Sequence, residues 1–219
     1  MEDLRQRYRR LFVVGSNTDR LVFFSDAVFA IAMTLLVIDL HVPEEMEGTA
    51  LDILKAEWPA FFAYALSFTI IGLNWMSHHR KFRVIETHDG GLMFLDLALL
   101  FVVAFVPFPT SLISTYGGEP AAVVLYAFTV GLLGVLQFAI WRYAYAKKLV
   151  SPEIDPAMNR YLLVDQLTTP IVFWATIPIA IFWSGEIAMF AWFLLFPIGF
   201  LGAKLQGRIS RRAGEYPSS

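Results

Sequence analysis

The stretch Arg20-Leu21-Val22-Phe23-Phe24-Ser25-Asp26-Ala27-Val28-Phe29-Ala30-Ile31-Ala32-Met33-Thr34-Leu35-Leu36-Val37-Ile38-Asp39-Leu40 decides how the rest of the chain is read. From Phe23 to Leu40 only Asp26 and Asp39 carry charge. A hydrocarbon core about 30 Å thick needs about 20 such residues of helix, so this run predicts a membrane span. Five more runs follow it, at Ala60–Ser77, Leu92–Ser114, Ala121–Tyr143, Tyr161–Ser184 and Ile187–Leu205. The last two are parted only by Ser184-Gly185-Glu186 and should form a hairpin. Composition agrees: 57 % of residues are hydrophobic and 16 % charged, against roughly a quarter charged in soluble domains. The fold class is therefore an all-α membrane protein with six transmembrane helices. Residues 1–212 read as a single six-helix domain and 213–219 as a short cytoplasmic tail.

The basic residues orient the spans. Arg5, Arg7, Arg9, Arg10 and Arg20 precede the first, and Arg80, Lys81 and Arg83 follow the second. Arg142, Lys147, Lys148 and Arg160 flank the loop after the fourth, and Lys204, Arg208, Arg211 and Arg212 close the chain. Sixteen of the seventeen basic residues thus fall on one side, which requires an even number of spans and puts both termini in the cytoplasm. The opposite loops hold Lys55 alone, beside Glu44, Glu45, Glu47, Asp52, Glu57, Glu119 and Glu186. In those loops Leu51–Trp58 predicts a short amphipathic helix on the membrane surface. The first run is too long for a cleavable signal peptide and lacks a small-residue cleavage site. Pro152 and Pro156 should end local helix in the loop around Ser151–Asn159, and Pro107, Pro109, Pro170, Pro178 and Pro197 should kink or end helices. No basic face suits nucleic acid, and the absence of cysteine removes disulfides, thiolate nucleophiles and Cys-ligated metals.

Polar groups inside a bilayer are costly, which makes each one a candidate for function. Ser25 and Asp26 lie one turn into the first span; Arg20 and the polar end of the second (Asn74, Trp75, Ser77, His78, His79) can partner them, with Asp96 at similar depth. The plain reading is a buried network locking three spans together; the functional variant gives it a gating or proton-sensing role through His78 or His79. Ser25, His78 and Asp96 could also be drawn as a hydrolytic triad, which only geometry can test. Adjacent His78 and His79 diverge by about 100° on a helix and make a poor metal chelate. On the first span, Ile31, Thr34, Leu35 and Ile38 share one stripe, and Asp26 points about 140° away from Ile31. No Gly-x-Ser-x-Gly or His-Glu-x-x-His pattern is present, and nothing calls for a cofactor.

Arg20-x-x-x-Phe24-Ser25-Asp26, the text from Ala27 to Leu40 and Asn74-Trp75 through Arg80 resemble the transmembrane protein 175 family of potassium channels. The resemblance implies a tetrameric cation channel whose first helices line the pore, with hydrophobic rings in place of a carbonyl filter. Animal members carry two repeats and act in lysosomes; a single six-span repeat is similar to the bacterial homotetramer. By position, Ile31 matches the narrowest ring and Thr34 a threonine layer linked to selectivity, with Leu35 and Ile38 on or near the same lining. Arg20, Phe24, Ser25 and Asp26 match the network that holds the first helix. The expected activity is passive potassium conduction across the cell membrane, with a leak of other monovalent cations or protons. A proton- or ion-coupled secondary transporter using Asp26, Asp96 and the histidines is the alternative.

Overall fold

The computed structural model describes residues 14–15, 18–40 and 49–192. It is mostly helical, and five of its helical segments are long and apolar enough to cross a membrane. Helix α1 runs over Asp19–Leu35 and tightens into a 3-10 turn over Leu36–Asp39. The short α2 (Ala50–Ala56) leads into α3 (Trp58–Phe82). Next come α4 (Gly90–Phe105) and α5 (Pro107–Tyr116), two halves of one crossing. The long α6 (Pro120–Ala146) and α7 (Pro156–Phe182) precede α8 (Gly185–Trp192). The expected sixth span begins in α8, and its remainder with Pro197 lies outside the described residues, as do Arg5, Arg7, Arg9, Arg10, Lys204, Arg208, Arg211, Arg212, Glu44, Glu45 and Glu47.

Local chemistry explains several boundaries. Pro107 opens α5 because its missing N–H and fixed φ break the helix behind it while suiting a first turn. Pro156, expected to end local helix, instead begins α7, where the Asp155 side chain accepts from the Met158 amide at 2.6 Å. Pro170 and Pro178 sit inside α7, which continues through both. Helix α6 ends with Lys148 in the left-handed region (φ 57°) and the Leu149 amide bonded back to Ala144 O at 2.9 Å. That is a Schellman-type stop with lysine at the position where glycine is usual.

Helix α6 is the axis of the scaffold. Of its most apolar stretch 56 % is buried, against 22 % for α1, which lies at the edge. One core cluster joins α1, α3, α4 and α6 through Phe29, Leu36, Ile71, Leu99, Val103 and Leu133. A second joins α3, α5, α6, α7 and α8 through Ile70, Ile113, Tyr126, Phe173 and Trp192. Close approach of α6 to α7 depends on Gly131 and Gly134, since a Cβ on Gly131 would strike the Trp174 indole and one on Gly134 would lie 2.5 Å from Pro170 Cδ. Proline cannot swing aside, so Gly134→Ala is expected to cost about 1–3 kcal/mol, read as a lower thermal midpoint in detergent.

At the basic end of the bundle, backbone bonds tie the loops together. Val14–Gly15 (β1) pairs antiparallel with His88–Asp89 (β2) in the register Val14↔Asp89 and Gly15↔His88. Ile85 bridges Val150, and the Ser151 amide donates to Val84 O at 2.8 Å. Asp89 caps α4 through the Leu92 amide (2.9 Å) and accepts from Tyr143 Oη (2.9 Å).

Helix α2 starts from a capping box, in which the Thr49 amide and hydroxyl donate to Asp52 Oδ2 at 3.0 and 2.7 Å. Those bonds hold the Asp52 carboxyl below its ordinary value of 3.8. A depressed carboxylate stabilises fully above the unfolded pKa and loses that contribution as pH falls through the lower folded one. The protection factors of the Asp52 and Ile53 amides, corrected for intrinsic exchange at each pH, are thus expected to hold steady between neutral pH and about 5 and to fall only under stronger acid.

Candidate functional site

Three polar side chains from three helices meet in a fully buried cluster. Ser25 (α1), His78 (α3) and Asp96 (α4) each have no solvent exposure. Ser25 Oγ lies 2.7 Å from Asp96 Oδ2, and His78 Nε2 lies 2.7 Å from Asp96 Oδ1. Ser25 Oγ is also 2.9 Å from Leu21 O. The single hydroxyl hydrogen is thus shared between the Asp96 carboxyl and the Leu21 carbonyl. The His78 ring stacks on Phe82 (4.3 Å between centroids) and tilts against Phe29 (5.5 Å), and its Nδ1 is buried with no hydrogen-bond partner.

Asp96 stands between the serine and the histidine. An acyl-transfer triad needs the histidine bonded to the nucleophile with the acid behind it, so this cluster lacks the geometry of a hydrolase. Its three groups cross-link α1, α3 and α4.

Asp26 belongs to a separate contact. The Trp75 indole N–H donates to its Oδ1 at 2.8 Å, and the Trp75 ring tilts against His79 at 5.6 Å. Arg20 and Phe24 are exposed, and Arg20 pairs with no carboxylate among the described residues. Asn74 bonds within its own helix to Ile70 O, and its carbonyl accepts from Gln137 Nε2 at 3.0 Å. Lys81, which the sequence places in a basic loop, is buried near the end of α3; its Nζ donates to Gln137 Oε1 (2.5 Å) and Gln137 O (3.2 Å). Gln137 itself was detectable as the lone amide inside the apolar run Ala121–Tyr143.

Helix α1 has two unlike faces. Ser25, Phe29, Ala32 and Leu36, at spacings of three and four, are buried against the scaffold. On the opposite side Ile31 is 58 % and Ile38 69 % exposed, and Thr34 and Leu35 are exposed with them. Thr34 Oγ1 donates to Ile31 O at 2.8 Å. Its hydrogen is thus turned to the backbone, which leaves oxygen lone pairs for a donor or cation beside the helix.

These features define a polytopic helical membrane protein in which a polar cluster on the first crossing is pinned to the second and third. Residues 20–107, which hold the whole cluster, match the profile described as endosomal/lysosomal potassium channel TMEM175. A potassium channel of Streptomyces collinus is 37 % identical over 151 residues, covering 66 % of this chain and 73 % of that one. The crystal structure of a lysosomal potassium-selective channel TMEM175 homolog from Chamaesiphon minutus superposes with a TM-score of 0.71 at 25 % identity, over 86 % of this chain and 99 % of that one. The endosomal/lysosomal proton channel TMEM175 of Homo sapiens is 31 % identical over 150 residues, 66 % of this chain but 29 % of its own length. The chain belongs to the TMEM175 family.

Proposed function

We propose that the protein is a potassium-permeable cation channel in which four copies surround a central pore lined by their α1 helices. The observation that carries the reading is the uncovered stripe of Ile31, Thr34, Leu35 and Ile38 on the edge helix whose other face is locked into the scaffold. Four Ile31 side chains around an axis form a dewetted constriction, and opening widens it for a partly hydrated cation. Thr34 oxygens, one turn along, replace part of the lost hydration. Ser25, Asp26, Trp75, His78 and Asp96 hold α1 in place, and with Arg20, Phe24, Asn74 and His79 they stay out of the ion path. Protons are the second candidate ion, in keeping with the name of the human relative.

In this reading residues 1–212 form one six-span domain in the cell membrane, with cytoplasmic termini and 213–219 as a tail. Acidic loops opposite the basic side then concentrate cations at the outer mouth. Purified protein in liposomes should pass potassium down its gradient with no second substrate. No flux where a control ionophore works would overturn the channel reading; flux that requires a co-transported ion and saturates would favour the coupled transporter.

A further inference from the structure

We propose that α2 is a membrane-surface anchor, with Leu51, Leu54 and Trp58 seated at the headgroup–acyl boundary of the leaflet opposite Arg80 and Lys81. The inference requires only that α3 spans the bilayer, and holds whether or not the chain conducts.

Depth follows from helix arithmetic. The basic end of α3 is marked by His79, Arg80 and Lys81. Counting a hydrocarbon core of about 30 Å back from Arg80 at about 1.5 Å per residue uses about 20 residues and ends near Ala60. Trp58 then lies at the boundary where tryptophan is favoured, and Ala50–Ala56 lies level with the headgroups. The helix is interrupted there: Glu57 leaves helical geometry (φ −80°, ψ 1°), and Pro59 has no N–H to continue the ladder. The break is one residue long, and across it the Glu57 amide bonds to Ile53 O and the Phe61 amide to Glu57 O, both at 3.0 Å, so Leu51 and Leu54 of α2 stay on one side with Trp58.

Its side chains point the same way. Leu51, Leu54 and Trp58, at intervals of three and four, are 59, 53 and 69 % exposed, and no residue of α2 is buried. Asp52 and Lys55 are exposed beside them. A seven-residue helix is not stable in water on propensity alone, and the capping box satisfies only its first turn. Something must cover the leucine–tryptophan face, and a helix at headgroup depth continuous with a spanning helix meets lipid there.

The native chain has no cysteine, so single-cysteine probes are clean. Leu54→Cys and Asp52→Cys, each carrying an environment-sensitive fluorophore, are placed in phosphatidylcholine vesicles whose acyl chains are brominated just below the headgroup. The position-54 probe should be quenched at least about twofold by the brominated lipid and shielded from aqueous iodide, while the position-52 probe should show the reverse. Leu51→Cys repeats the measurement on the same face. Equal iodide quenching at both positions would overturn the proposal in favour of a solvated helix. No quenching by brominated lipid at position 54, with ready disulfide cross-linking between copies of the unlabelled Leu54→Cys protein under an added oxidant, would overturn it in favour of a subunit contact.

Discussion

Replacing Ile31 by asparagine is expected to raise potassium flux through the reconstituted protein by about tenfold, which corresponds to a barrier lowered by roughly 1.4 kcal/mol. Ile31 lies on the face of α1 that no other part of the described chain covers. Where four such side chains enclose a narrow passage, water leaves and ions are excluded; an amide at the same place restores hydrogen bonding and keeps the passage wet. The matched control is Ile171→Asn, also on an exposed helix face (62 %) but on α7, far along the chain from the motif helix. It should leave flux unchanged. An unaltered flux in Ile31→Asn protein of normal oligomeric state would remove Ile31 from the pore wall.

Asp96→Ala is expected to be the most damaging single change in the polar cluster, costing about 3–5 kcal/mol, because it strands His78 and Ser25 in a site with no solvent. Asn at the same place should recover most of the loss. Its carbonyl can accept from His78 and its amide can donate to Ser25, whose hydroxyl then serves Leu21 O. Asp26→Ala should cost only about 0.5–1.5 kcal/mol, since it releases one indole N–H of the partly exposed Trp75. Thermal unfolding in detergent ranks the three; Asp26→Ala unfolding below Asp96→Ala would contradict the assignment of Asp96 as the hub.

Much of this architecture could be read from the residues. Apolar run length places the long helices because a bilayer leaves the backbone few alternatives. The ends are harder: α1 takes in Asp19 and Arg20, and α3 carries His78 through Phe82, since a helix continues past the apolar run until its last carbonyls meet water or a cap. Ser25, His78 and Asp96 stand out as polar residues among apolar ones. Which of them pair depends on azimuth and on side chains from other helices, so the sequence offers Arg20, Asn74, Trp75, Ser77, His78 and His79 alike as partners for Asp26, and the fold supplies Trp75. Lys81 reads as one more loop cation, and only packing against α6 shows it bonded to Gln137. The β1–β2 ladder has no sequence signal at all, because two residues per strand cannot display a period.

The central claim is that α1 lines a shared pore, and symmetry tests it most directly. Imaging of the purified protein in lipid nanodiscs should reveal four chains around one axis, with the Ile31 side chains closest to it and Asp26–Trp75 turned away. An assembly of another order, or four chains with α1 facing lipid and a different helix at the axis, would contradict it.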